Sequence, residues 1–344
     1  MCRISFLAVA VLLAAVEVQA QPAATDPTVQ LQTIAVTGTQ PGPGLWKVSN
    51  GEHVLWILGT VSPLPRDIEW KASDVDALIA QSQEVLTGPQ LEISTNAGFF
   101  GTLALLPSLI GLRNNPDGAK LHDVLAPELY ARWEALKQRY IGSGTRVEKW
   151  RPIFAALELY DAAMDKNRLT GAAYVRKSVL KSAKRAHVAI TTPSVKFDID
   201  EPRTAIKEFK SHALDDTDCM RRTLDRIDVD LTAMTARANA WATGDIAALR
   251  ALPQSDQAAV CLAAISESSI ARSRGMTDLD VRLAQAWFDA ANTALEHNQS
   301  TLALLPMRDL LESPGYLARL AQKGYQIEAP DADEATAAPE PAAP

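Results

Sequence analysis

The stretch with the most chemical promise is Val54–Pro65, VLWILGTVSPLP, an apolar run that reads as a buried strand ending at Gly59-Thr60 in a proline-rich turn. Glycine after such a strand lets a ligand approach the backbone closely, and strand ends are where α/β proteins place chemistry. The first side chain beyond it able to attack or hydrogen-bond is Ser62. No G-x-S-x-G elbow surrounds it, and no histidine is near it in sequence. The five histidines, His53, His122, His187, His212 and His297, form no i, i+3 or i, i+4 pair. There is no H-E-x-x-H and no cysteine pair at metal spacing, so no metal site is expected from spacing. Asp215, Asp216 and Asp218 read as a solvated helix start, where negative charge suits the macrodipole. Asp225, Asp228 and Asp230 lack the glycine that a calcium loop needs. Gly-rich phosphate loops are absent. Arg176, Lys177, Lys181, Lys184 and Arg185 fall along one helix and read as a solvated face, with contact to an anionic polymer the lesser alternative.

The elements that would position Ser62 follow from periodicity. LWKVSNGEHVLWILGT reads as a β-hairpin with Asn50-Gly51 as a type I′ turn. Its second strand, Val54 to Leu58, is apolar throughout, as when both faces are covered. SDVDALIAQS, with Ser73 as N-cap, and then EVLTG complete a strand–helix–strand unit. From Pro127 to Arg250 apolar residues recur at helical spacing. The pattern includes a long helix ending at Thr243-Gly244, after which Asp245 caps another. A short strand, VAITTP, interrupts this section. DLDVRLAQAWFDAANTALEH reads as an amphipathic helix, TLALLPM as a buried strand, GYLARLAQKG as a helix and YQIEA as a final strand. The expected fold is α/β: a mixed or mostly parallel sheet flanked by helices, with a large helical middle section and a C-terminal strand–helix–strand completing the sheet.

Residues 1–20, MCRISFLAVAVLLAAVEVQA, have the basic start, apolar run and small-residue end of a secretory signal cleaved near Ala20, and imply a periplasmic or secreted protein. Residues 21–43 read as a flexible segment, 44–330 as the folded domain, and 331–344 as a disordered Ala/Pro-rich tail. The net charge of -7 argues against nucleic acid as a partner. Export leaves Cys219 and Cys261, expected to form a disulfide in an oxidising compartment. Asn96 to Leu112 is unusually apolar. It is expected to be a helical hairpin or lid on the core, with contact to a membrane or an apolar partner as the alternative.

The order of these pieces resembles the TraB/GumN family. The pieces that carry the likeness are LWKVSNGEHVLWILGT, RPIFAALELYDAAM, CMRRTLDRIDVDL, RANAWATGD and the closing LALLPMRDLLESPGYLARLAQKGYQIEAP. Active members carry G-x-x-H after the first strand, a glutamate after the second, a second G-x-x-H after the late strand, and an Arg-Asn pair on the preceding helix. Related ectoenzymes are metal-dependent proteases, in which these groups are proposed as metal or catalytic residues. Carried over residue by residue, the first histidine falls on Ser62, the glutamate on Gly88 and the second histidine on Asp309. The Arg-Asn pair falls on Leu283-Ala284, beside Arg282. The resemblance therefore implies a degenerate member without the divalent metal and without a confident catalytic residue. The expected function is non-catalytic binding of a peptide, glycan or envelope protein, in a cleft formed by Gly59, Thr60, Ser62, Arg282, Arg308 and Asp309. The family name suggests a setting near exopolysaccharide export. The competing expectations are a divergent hydrolase with a rearranged site and an envelope scaffold with an apolar contact surface.

Overall fold

A computed structural model describes residues 42–330 apart from 67, 69, 71, 96–97, 171–172, 253–256 and 277. The expected signal peptide, most of the 21–43 segment and the 331–344 tail lie outside the described residues. Among the described residues ten strands follow in chain order: β1 Leu45–Asn50, β2 His53–Thr60, β3 Leu64–Pro65, β4 Glu84–Leu86 and β5 Gln90–Thr95, then β6 Leu169–Thr170, β7 Ala189–Thr191, β8 Ser194–Ile199, β9 Ser300–Pro306 and β10 Gln326–Glu328. Six of them form one sheet in the order β10-β1-β2-β9-β4-β7. β10 and β1, and β1 and β2, run antiparallel, while β2, β9, β4 and β7 run parallel. β3 pairs with β6, and β5 with β8, in two separate two-stranded sheets. The expected α/β fold is what is found.

The hairpin differs from expectation in its turn. Asn50 pairs with His53, so Gly51-Glu52 makes the two-residue loop. Gly51 has a φ of 59°, and Glu52 is not among the positive-φ residues. A positive φ at the first position alone fits type II′, whereas type I′ requires it at both. Asn50 remains in the strand and donates its amide to Leu295 O at 3.1 Å. The strand–helix–strand unit is found, with its two strands parallel. The helix Ala72–Gln81 connects β2 to β4, but β9, arriving from the other end of the chain, sits between those two strands. Ser73 lies inside that helix, its hydroxyl donating to Asp74, and is not the N-cap.

Besides a small cluster of Ile153, Cys219 and Cys261, two large hydrophobic cores form among the described residues. One covers the sheet, with Leu55, Ile57, Leu58, Leu302–Leu305 and Trp287 inside it. The other lies within the helical section around Trp133, Leu159 and Leu224. The helix Thr217–Thr243 belongs to both. Met220, Leu224, Ile227 and Met234 enter the helical core, and Ala238, Trp241 and Ala242 enter the sheet core. At 1.5 Å per residue this helix is a strut roughly 40 Å long. Gly244 ends it in the left-handed region with φ 74°, and Asp245 caps the next helix by accepting from Ala248 N at 2.8 Å. Near its start, Cys219 is disulfide-bonded to Cys261 of the helix Gln257–Ser266.

Candidate functional site

The four parallel strands end on one edge of the sheet, and register brings the candidate positions there. Gly59 pairs with Leu305 and Thr60 with Pro306. Leu86 pairs with Ala303, so Gly88, two residues on, comes level with Leu305 and hence with Gly59. Adjacent strands lie about 4.8 Å apart. Ser62, Gly88, Arg308 and Asp309 therefore leave the sheet from three neighbouring strand ends.

Each is held differently. Ser62 is half-buried. Its carbonyl accepts from the Arg226 guanidinium at 3.1 Å, and its hydroxyl makes no hydrogen bond among the described residues. The indole of Trp241 donates to Gly59 O at 2.6 Å. Both donors come from the Thr217–Thr243 strut, which thus fixes the path of the chain leaving β2. Thr60 donates its hydroxyl to Leu305 O at 3.2 Å, tying β2 to β9. A Cβ at Gly88 would meet nothing closer than Leu304 O at 3.7 Å, so that position has room for one. Gly59 is the opposite case. A Cβ there would lie 2.5 Å from Met307 Cε and 3.1 Å from Leu310 Cδ1. This corrects the expectation that Gly59 opens the backbone to a ligand: Met307 and Leu310 from the helix Met307–Leu311 occupy that space.

Asp309 is largely buried and accepts from Arg308 Nε at 3.0 Å. Burial raises its carboxyl above the ordinary aspartate value. Arg308 opposes that rise, and Glu312 adds to it. The phenol of Tyr316 is pushed up to about 12, first by its own burial and then by the Asp309 charge. Tyr316 stacks on Phe288 at 5.0 Å and meets the Trp287 ring edge-on at 5.3 Å. Arg308 is exposed. Arg282 is also exposed, and its guanidinium reaches Gly275 O at 3.4 Å. No described interaction joins Arg282 to Ser62 or Asp309. Leu283 and Ala284 occupy the first turns of the helix Leu279–His297 and carry no polar side chain.

The histidines lie elsewhere. His53 opens β2, its ring 2.8 Å from Asn298 O. His297 ends the helix before β9, and His187 precedes β7 in a turn with φ 56°. All three therefore sit at the amino edge of the parallel strands. From His53 to Thr60 at about 3.3 Å per residue is roughly 23 Å. His122 pairs with Asp123 at 3.2 Å, and the His212 ring bonds to Glu208 O at 2.9 Å. Among the described residues no group of three or more His, Cys, Asp or Glu could hold a metal ion.

A family model spans residues 44–329, from the first strand of the hairpin to just beyond β10. The chain belongs to the TraB/PrgY/gumN family. No curated protein and no solved structure matches it. Within the TraB/PrgY/gumN domain the geometry also corrects one reading of the acidic residues. Asp216 is not on a solvated face. It is 2% exposed, and its carboxylate accepts from Ile153 N at 2.9 Å. Ile153 stands in the first turn of the helix Pro152–Lys166, whose N-cap residue is Arg151. Arg151 is itself buried and donates to Asn114 O at 3.1 Å, to His212 O at 2.7 Å and to the carbonyls of Phe209 and Lys210. A cation at the last carbonyls of the helix Pro202–Ser211 suits that helix end. Asp216 and Arg151 thus join three helix ends, at a place where sequence spacing gave no sign of it. The one available hint was Pro152 after Arg151, a helix-start signal.

Proposed function

We propose that this TraB/PrgY/gumN-family domain is a non-catalytic binding module of the cell envelope. In this reading a peptide, glycan or protein partner docks at the carboxyl ends of β2, β9 and β4. One observation carries it. The side chains at that edge are a hydroxyl with no hydrogen bond among the described residues, a glycine position and an aspartate already engaged by its neighbouring arginine, while three of the five histidines lie at the opposite edge. This donor set does not fit a divalent ion. A neutral serine is a poor ligand and Gly88 offers none, which leaves one carboxylate where three or four N/O donors are needed. It does suit binding: Arg308 and Asp309 offer one charge of each sign, and Gly88 leaves space beside them. A rearranged hydrolase built on Ser62 and Asp309 would need a base to take the serine proton. No described imidazole contact reaches Ser62.

Two measurements test the reading. Elemental analysis of the purified chain, with peptide cleavage assayed in added Mn²⁺ or Co²⁺, is expected to find neither stoichiometric metal nor stimulated cleavage. Tight metal, or stimulated cleavage lost in Asp309→Ala, would overturn the non-catalytic reading. Peptide and glycan arrays probed with the chain are expected to yield ligands that Gly88→Glu and Arg308→Ala release. Ligands retained by both variants would move the binding site elsewhere.

A further inference from the structure

From Ile93 to Leu112 the chain has no charged residue, in a protein in which 22% of residues are charged. An uncharged, Leu-rich run of that length is expected to supply core. Here it does so only in part. It forms two short helices, Gly98–Leu103 and Leu106–Leu109. Leu105 is buried, but Leu103 is 55% exposed, Leu106 54%, Leu109 43% and Ile110 77%. These four supply nearly half of the exposed large apolar residues among those described. At 1.5 Å per residue the two helices are roughly 9 and 6 Å long. Neither approaches the ~30 Å of a bilayer core, and no described helix is long and apolar enough to cross a membrane.

The neighbouring helix, Pro202–Ser211, packs against Leu106–Leu109. Its Lys210 Nζ donates to Ile110 O at 2.6 Å, so a cation lies directly beside the most exposed of the apolar residues. Arg203 and Lys207 on the same helix are exposed and make no ion pair among the described residues. Arg203 stands in the first turn, where the macrodipole disfavours a cation. Helix stability is therefore not what it serves. The helix has one carboxylate, Glu208, which Arg274 engages at 2.6 Å. Glu201, just before the helix, lines a shallow cleft of about 320 Å³ with Arg203, Gly101 and Leu105, and Asp117 stands in the turn Pro116–Gly118 that also packs on the helix.

We propose that this face is a peripheral docking surface for a bilayer carrying anionic headgroups. Leu103, Leu106, Leu109 and Ile110 enter the acyl boundary, and Arg203, Lys207 and Lys210 meet the headgroups. An apolar tip with cations set beside it matches hydrocarbon under a negative surface. A second copy of the chain fits less well, because a two-fold interface on this face would gather the cations of both copies into one contact. The net charge of -7 adds orientation, since an anionic bilayer repels most of the protein and attracts this face. The inference does not depend on the binding reading given for the strand ends.

Hydrogen exchange on the full chain, with and without vesicles, tests it. Residues 1–20 are common to all variants, so the readout is local protection of residues 98–112. Vesicles of phosphatidylcholine mixed with phosphatidylglycerol are expected to protect this segment, and phosphatidylcholine alone to protect it far less. The paired change Leu106→Glu with Ile110→Glu should abolish protection while the far-ultraviolet dichroism and melting curve stay as in the parent. Arg203→Gln with Lys207→Gln should weaken vesicle-induced protection about tenfold or more at low salt, at ~1 kcal/mol for each cation near the surface. No protection on anionic vesicles would overturn the proposal, as would equal protection on neutral ones. Protection that rises with protein concentration in the absence of lipid would overturn it in favour of self-association.

Discussion

The buried Asp216 makes a prediction that can be worked through. Its carboxyl is pushed up to about 6 from 3.8, first by burial, against the opposing Ile153 hydrogen bond and the Arg151 charge. Between those two values the folded chain binds more protons at this site than the unfolded chain does. Stability must therefore fall as pH rises through this window, and the effect is complete above it. At 1.36 kcal/mol per pH unit, the gap between about 6 and 3.8 amounts to about 3 kcal/mol. Asp216→Asn removes the titration but keeps an oxygen to accept from Ile153 N, and Arg151 keeps its carbonyl partners. The assay is reversible urea unfolding of parent and variant from pH 3.5 to 7.5. The parent midpoint minus the variant midpoint should fall by about 1 M across the window, taking a urea slope of about 3 kcal/mol/M. Asp309 titrates with the same sign, which is why the difference between the proteins is read and not the parent curve alone. A difference that is flat with pH, or that grows as pH rises, would refute the reasoning.

Three further outcomes follow from packing and chain connectivity. Replacing Cys219 and Cys261 together by Ala opens a link between residues 42 positions apart and should cost up to about 4 kcal/mol by the chain-entropy model, measured by denaturant unfolding. Trp241→Phe keeps most of the apolar ring but leaves Gly59 O without its donor, so a loss of about 1–3 kcal/mol is expected, with faster hydrogen exchange in the turn after β2. Gly315→Ala would set a Cβ 2.5 Å from Glu312 O and 3.2 Å from Asp309 O, both backbone atoms that cannot swing away. A loss of about 1–3 kcal/mol in thermal unfolding is expected, and Gly118→Ala, a left-handed position with open space, should show only backbone strain.

The sequence by itself determined the elements whose signals are local. The hairpin pattern, the Gly244 stop of the long helix, the Asp245 cap and the apolar strand before Pro306 all depend on neighbours within a few residues. The alternation in QLEIST and SVKFDI, β5 and β8, was also there to be read, but each run is short and the two pair across about a hundred residues. Ser62, Gly88 and Asp309 became candidate positions through the family resemblance, since no spacing of their own marked them. Tertiary structure decided everything that depends on distant partners. It inserted β9 between β2 and β4, which brings three candidate positions onto one edge. Strand direction put His53, His187 and His297 at the other edge. Met307 closed over Gly59, and Asp216 was drawn out of a polar run to meet Ile153 and Arg151. The physical reason is common to these cases: burial and pairing depend on which segments the assembled sheet and its long strut bring together, and a chain read in order carries no measure of that.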